Sequence, residues 1–254
     1  MSDNEKQNRQ PLILAIETAT RAGSVAVARG EEVLTAREGD ASVSHSTSLI
    51  EMIDGVLKNA GAKLSDVDLF ACAVGPGSFT GLRIGLATVK AFATATERPV
   101  VPVSTLAAIA YATHASGKIV SLLPAGRGEL FAQMFSISNG KVSALDRAAH
   151  LGAKELLRKY ESIDAQWAGE GVQKLQQYLQ AESPGGAKRS IALKNETTET
   201  ASRLAASIAV LGLKDYREGK AIKADELHAV YLRPSDAEIN ERWQQQKAEA
   251  STLN

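Results

Sequence analysis

Residues 69–95 read LFACAVGPGSFTGLRIGLATVKAFATA, a stretch that contains a strand, a hinge and a helix. Leu69 to Val74 is an apolar run bounded by Asp68 and the Gly75-Pro76-Gly77 turn, as expected of a strand covered on both faces. Past the turn, Ser78 or Thr80 is placed to cap a helix, and Leu82, Leu86, Val89 and Ala93 recur on one of its faces. Gly77, Gly81 and Gly85 fall four apart on a second stripe that continues through Thr88 to Phe92. An interior glycine costs roughly 1 kcal/mol against alanine, so this stripe expects a very close neighbour.

A glycine turn leading into a helix can cradle an anion on its free N–H groups. The spacing Gly75, Gly77, Gly81 is one residue too long for the dinucleotide fingerprint, and no Lys-Ser/Thr pair follows to complete a Walker A loop. Ser78 is not centred in G-x-S-x-G, so a nucleophile elbow fails as well. Close helix packing is the reading the spacing favours over a phosphate cradle, whether within the chain or against a partner.

Composition narrows the class. The chain has 254 residues, 44% of them hydrophobic, which is enough for one large core or two lobes of about 100 residues. Lys and Arg number 29, as do Asp and Glu, so strong non-specific attraction to nucleic acid or to an anionic membrane is not expected. Met1 to Gln10 lacks the apolar segment of a signal peptide and no run reaches the length of a membrane span, which predicts a cytoplasmic protein. Cys72 is the only cysteine and sits inside the apolar strand, so a buried inert thiol is expected. His45, His114, His150 and His228 are scattered without close ligand spacing, so no metal site is expected on this chain.

Outward from the central stretch, Leu12 to Glu17, Gly23 to Arg29 and Val33 to Arg37 read as a β-meander. A helix follows over Ser44 to Ala60 with Leu49, Met52, Ile53, Val56 and Leu57 on one face, Ser48 and Glu51 in capping-box spacing, and Gly61 as its C′ residue. After the central strand and helix come a strand near Arg98 to Ser104 and a helix from Thr105 to His114. The order then recurs. Lys118 to Leu123, Leu130 to Ile137 and Lys141 to Leu145 read as strands, the last two joined across Ser138-Asn139-Gly140. Helices at Gly152 to Tyr160, Gly171 to Gln180 and Thr200 to Leu213 alternate with strands at Ala165 to Ala168 and Ser190 to Leu193; the last helix turns Ala201, Leu204, Ala205, Ile208 and Leu211 inward. The predicted organisation is a leader over 1–11, a first lobe over 12–115, a second over 116–238 whose last helix can return to the first, and a polar tail over 239–254. Ser183 to Lys188 reads as a surface loop.

Two successive β-β-β-α-β-α units resemble the α/β fold of actin, sugar kinases and Hsp70, in which two ribonuclease-H-like lobes face a cleft. ILAIETAT at 13–20, GSVAVA at 23–28, SHS at 44–46, GPGSFTGLRIGLATVKAFA at 75–93, VPVSTLAAIA at 101–110 and VYLRPSDAE at 230–238 are similar to the TsaB family, also called YeaZ, with coverage from about Leu12 to Glu238. Membership implies a non-catalytic subunit that pairs with TsaD, the related enzyme transferring a threonylcarbamoyl group to adenosine 37 of tRNA. TsaE, an ATPase, joins through that heterodimer. ATP and metal are then expected on the partner subunits, tRNA is met only indirectly, and the chain alone is expected to form a homodimer.

Local residues bear on that implication. Kinases of this fold set an Asp-x-Gly-Thr/Ser hairpin against phosphate, whereas this chain has Glu17-Thr18-Ala19-Thr20, with alanine where backbone must approach closely. TsaD holds its metal through paired histidines, and here His45 stands alone. Glu17 reads as a relic of an acidic catalytic position or as a strand-end carboxylate, and Arg83 with Lys90 as a solvated stripe or as the rim of an interface. The expected interface comprises His45, Leu49, Met52, Ile53, Gly77, Phe79, Gly81, Leu82, Arg83, Gly85, Leu86, Val89 and Lys90, with the glycines admitting a partner's backbone. The family commonly carries Asp-Ala-Arg before Gly-Glu in the second lobe's first hairpin, but this chain reads Pro124-Ala125-Gly126-Arg127-Gly128-Glu129, and no role is carried onto it. The alternatives are an ATP-dependent transferase or kinase of the same fold and, more distantly, a metallopeptidase.

Overall fold

The protein is described by a computed structural model over residues 10–181 and 197–232. Its first strand, β1 (Leu12–Glu17), has no exposed residue, because the sheet it belongs to is covered on both faces. That sheet runs β3-β2-β1-β4-β5. β2 (Ser24–Arg29) and β3 (Glu32–Glu38) continue from β1 as an antiparallel meander. β4 (Leu69–Gly75) and β5 (Val100–Ser104) lie parallel to β1, and parallel neighbours need crossovers, which here are helices.

α1 (His45–Asn59) links β3 to β4, and α2 (Phe79–Thr96) links β4 to β5. Both bury one apolar stripe on the same side of the sheet: Leu49, Met52, Ile53, Val56 and Leu57 from α1, and Leu82, Leu86, Val89 and Ala93 from α2. α1 starts at His45 behind Ser44, a full turn ahead of the expected Ser48–Glu51 capping box, so that pair lies inside the helix. Gly61, with φ of 63°, follows the helix C-cap at Ala60.

α3 (Thr105–Ala112) packs against both this sheet and the next, and its eight residues are buried almost all round. The second sheet has the order β10-β6-β7-β8, with β9 also paired to β7. β6 (Gly117–Gly126) and β7 (Glu129–Ser138) are antiparallel, and β10 (Gln166–Ala168) lies parallel to β6 as β4 does to β1. Alternation along β6 divides the core. Ile119 and Leu123 join the large cluster shared with the first lobe, while Val120 and Leu122 face the opposite side. There they meet α4 (Ala153–Tyr160) and α5 (Gly171–Ala181) through Leu156, Tyr160 and Leu175. β8 (Lys141–Ala144) was legible in the sequence; β9 (Ala149–Gly152) was not, since Ala-His-Leu-Gly has no alternation and forms only by pairing with Glu129–Ala132.

α6 (Thr197–Arg217) packs on β1 to β5 from the face opposite α1 and α2, and buries Leu204, Ala205, Ile208, Ala209 and Leu213 there. The last described helix therefore completes the first lobe's three layers, although it follows the second lobe in the chain. Leu211 is only partly buried. The duplicated two-lobed α/β architecture is present, and each lobe carries five strands: β5 and α3 extend the β-β-β-α-β-α unit in the first, and β9 adds a strand ahead of α4 in the second. The expected strand Ser190 to Leu193, the loop Ser183 to Lys188 and the tail beyond Ile239 lie outside the described residues. No helix among the described residues is long and apolar enough to cross a membrane.

Candidate functional site

The β1–β2 turn, Thr18 to Gly23, is the point where the first lobe's elements converge. Glu17, at the end of β1, is completely buried. Its carboxylate accepts from the Thr20 amide at 2.7 Å, the Thr20 hydroxyl at 2.7 Å and the Ser24 hydroxyl at 3.4 Å. Burial pushes its pKa up, and hydrogen bonds from Thr20, Ala19 and Ser24 oppose the shift only in part. The Ala19 and Thr20 amides are thus spent on the turn's own glutamate, and the Gly23 amide on the Thr20 hydroxyl. Of the two sequence readings, a strand-end carboxylate held by local donors is the one the geometry shows.

The glycine stripe of α2 closes on this turn from above. A Cβ at Gly77 would lie 2.6 Å from the Ala19 Cβ; one at Gly81 would strike the Thr18 carbonyl oxygen, and one at Gly85 the Thr18 hydroxyl oxygen. The Ser78 amide donates to the Ala19 carbonyl at 2.7 Å, and the Ser78 side chain caps the helix by accepting from Gly81 N–H. The close neighbour demanded by the stripe is the chain's own hairpin, which corrects the expectation that these glycines admit a partner's backbone. Gly81 and Gly85 are buried, as are Leu49, Met52, Ile53, Leu82, Leu86 and Val89. All of these were expected at the interface and all are buried within this chain, Ile53 reaching the surface only in the groove that α1 lines with Phe92 of α2.

His45 is the third wall of the same hub. Its Nε2 lies 3.0 Å from the Thr20 carbonyl oxygen, which can only accept, so Nε2 carries the proton. Its ring edge fills the space that side chains at Gly23 and Gly81 would occupy. The lone histidine is a structural wedge. Across the lobe boundary, Glu170, just ahead of α5, is raised in pKa chiefly by burial and then by the carboxylate of Glu17, while the Arg21 amide donates to it and lowers it; Glu38 raises it further. Three carboxyl groups therefore influence one another around this turn. Sequence reading missed Glu170, which has no motif around it, and among the described residues no three His, Cys, Asp or Glu side chains gather as a metal site.

The outward face of the helix pair is different in kind. α2 exposes Thr80, Ala87, Ala91, Thr94 and Ala95, with Ile84 and Phe92 half-buried beside them. Thr88 and Thr96 donate their hydroxyls to the carbonyls of Ile84 and Phe92, at 2.9 and 2.7 Å, so their polar atoms are satisfied within the helix. α1 contributes Ile50, 57% exposed and the most exposed large apolar residue described. A groove formed by α1, the loop after it and Phe92 of α2 is lined by Ile50, Ile53, Leu57, Leu64 and Phe92 together with the charged Asp54, Lys58 and Lys63. No sequence motif singled out Ile50 or Ala91, because helical phase marks outward residues only as the ones a core does not claim.

Arg83, Lys90 and Phe79 face the segment after α6, whose VYLRPSDAE motif marks the family but to which sequence reading assigned no secondary structure or packing partner. Ile222 pairs antiparallel with Val100, and Leu227 is fully buried. The Val230 amide donates to the Val74 carbonyl at 2.7 Å, and the Tyr231 ring lies against Phe79 at 4.9 Å. The Arg83 guanidinium stacks over Phe79 at 3.9 Å, with its Nε 3.4 Å from the Tyr231 hydroxyl, and Lys90 reaches the Asp225 carbonyl at 3.4 Å. Neither cation forms a bare solvated stripe. Cys72 is buried in β4, with its thiol pushed up to about 12 by desolvation and by Glu17. In the second lobe, the Pro124–Glu129 corner is the β6–β7 turn, where Arg127 and Gly128 form an exposed tip and Glu129 pairs with His150 at 2.8 Å.

Comparison with known proteins converges on one family. The family model described as "TsaD: tRNA N6-adenosine threonylcarbamoyltransferase" matches residues 39–217. The tRNA threonylcarbamoyladenosine biosynthesis protein TsaB of Haemophilus influenzae is 37% identical over 123 residues, 47% of this chain and 51% of that protein. The Escherichia coli protein of the same name is 27% identical over 225 residues, 87% of this chain and 94% of that one. Among solved structures, YeaZ from Pseudomonas aeruginosa superposes with a TM-score of 0.71 at 25% identity, covering 87% of this chain and all of that one. The chain belongs to the TsaB (YeaZ) family, inside the wider family that the threonylcarbamoyltransferase model describes.

Proposed function

We propose that this chain is a non-catalytic scaffold in the biosynthesis of threonylcarbamoyladenosine at position 37 of tRNA, acting in the cytoplasm by binding TsaD through the outer faces of α1 and α2. The observation that carries this reading is the contrast across α2. Its inner face is sealed against the Glu17–Thr20 turn, while its outer face offers small residues, self-satisfied threonines and the Ile50–Phe92 groove. Small residues let a second helix approach closely, and an apolar strip of this kind favours burial against a partner. In the absence of TsaD the same face pairs two copies of the chain about a two-fold axis. TsaE joins through the heterodimer, tRNA is reached indirectly, and ATP and metal are held by the partner subunits.

The occupied turn argues against the kinase or transferase alternative. A phosphate-binding hairpin needs unengaged N–H groups. Here the Thr20 amide is committed to Glu17, the Ser78 amide to Ala19, and the neighbouring carboxyls repel an anion.

The test pairs Ile50→Asp with Ala91→Arg, both on exposed positions, in a pull-down with TsaD and in reconstituted tRNA modification with TsaD, TsaE and the synthase that makes the adenylate. Association and modification should each fall at least tenfold while the unfolding midpoint stays put. Undiminished association of the double variant would refute the assigned face, and tight ATP binding by the isolated chain in calorimetry would favour the enzyme reading.

A further inference from the structure

The segment after α6 is fixed at two points of unequal strength. At its start, Ile222 exchanges both backbone hydrogen bonds with Val100, at 2.8 and 3.0 Å, and Leu227 is fully buried in the first lobe's core. Its far end is held more lightly. Among the described residues Val230 makes one backbone bond, to Val74, and both Val230 and Tyr231 keep nearly half their surface in solvent.

That lighter end lies over a sensitive place. Val74 and Gly75 close β4, at the carboxyl end of the parallel β1-β4-β5 set, where open α/β sheets commonly take their ligands. A Cβ at Gly75 would come within 2.6 Å of the Val230 carbonyl oxygen, so this glycine is also filled from within the chain. From the other side, Tyr231 engages the first turn of α2 through the Phe79 ring and the Arg83 side chain.

We propose that residues 222–232 form a strap, hinged at Ile222–Leu227, whose Val230–Tyr231 end latches the N-terminal turn of α2 onto the end of β4. With the latch closed, the crevice at the carboxyl end of β4 is occupied by the chain itself and the first turn of α2 is held in place. With it open, the Val74 carbonyl and the Gly75 turn are uncovered and the start of α2 is released, while Leu227 keeps the strap attached. The latch acts within one chain and stands whether or not the outer face of α2 docks a partner.

Amide hydrogen exchange on the full chain alone tests it, comparing wild type with Tyr231→Ala, Tyr231→Phe and Arg83→Ala. Tyr231→Ala should speed exchange of the Leu82–Leu86 amides at least fivefold with the β6 and β7 amides unchanged. Arg83→Ala should produce a smaller change in the same region, and Tyr231→Phe, which keeps the ring stack, should stay within twofold of wild type. Unchanged exchange at Leu82–Leu86 in Tyr231→Ala would overturn the latch. A uniform rise through both lobes would overturn it equally, because it would mark general destabilisation.

Discussion

The two lobes each begin with a hairpin, and they use its turn in opposite ways. In the first lobe the turn after β1 is buried, its carboxylate is satisfied internally, and α2 and His45 close on it. In the second lobe the turn after β6 is an exposed tip, where Gly126, Arg127 and Gly128 all take positive φ and a Cβ at Gly128 would meet nothing within 4 Å. The same strand plan thus produces a buried hub in one lobe and an exposed corner in the other. What separates them is the helix that follows the parallel strand: α2 carries glycine at each position that faces the turn, so helix and hairpin approach to backbone contact.

The largest effect should come from adding one methyl group to each hairpin environment. Gly81→Ala drives Cβ into the Thr18 carbonyl oxygen, a backbone atom that cannot move aside without disturbing β1. Overpacking of this kind costs about 3 kcal/mol. Gly128→Ala meets no atom and bears only the left-handed backbone penalty, about 1 kcal/mol. Urea unfolding midpoints measure both, and equal losses would erase the contrast between hub and corner.

A finer cut lies within the hub. The Thr18 hydroxyl is buried without a hydrogen-bond partner among the described residues and is the nearest obstacle to a Cβ at Gly85. Gly85→Ala alone should cost about 2 kcal/mol. In a Thr18→Ala background the obstacle is gone, and the cost should drop by about 1 kcal/mol or more, a coupling readable in a double-mutant cycle. Additive losses would mean that some other atom blocks the site. A large side chain at Gly85 therefore reports on folding and not on docking, and the docking experiment belongs at Ile50 and Ala91.

The strand-and-helix order of the first lobe, and of the second apart from β9 and from Ser190 to Leu193, which lies outside the described residues, was legible because period-two and period-3.6 patterns are local. Leu82, Leu86, Val89 and Ala93 are buried as their spacing requires. The glycine stripe was equally legible as a demand for close approach. Its answer was not, because Thr18 and Gly81 are brought together by tertiary packing that no local pattern encodes. The same holds for Glu170 against the Arg21 amide, and for Tyr231 against Phe79, some 150 residues away in the chain. β9 was missed for a related reason, since its four residues become a strand only by pairing with β7.

The smallest predicted effect sets a buried carboxyl of one lobe against a bonded carboxyl of the other. Asp146 carries opposing influences: burial raises its pKa, but bonds from Lys159 at 2.7 Å, the Tyr160 hydroxyl at 2.6 Å and the Met134 amide at 2.9 Å prevail and leave it below its ordinary 3.8. Its stabilising contribution is complete above 3.8 and is lost as pH falls through the folded value. Glu17 runs the other way. Its folded pKa lies above 4.5, so the folded state binds that proton more tightly, and ionisation weakens the fold as pH climbs from 4.5 through the folded value. Glu17→Gln should therefore flatten the decline in stability from about pH 5 upward, and Asp146→Asn should blunt the acid limb below about pH 4. In a Trp243→Phe background Trp167, edge-on to Tyr160 at 6.1 Å, reports the second lobe by fluorescence, while whole-chain circular dichroism follows both. Two limbs that respond each to its own substitution would show Glu17 and Asp146 ionising independently, and a single limb shifted by either would show the two lobes titrating as one.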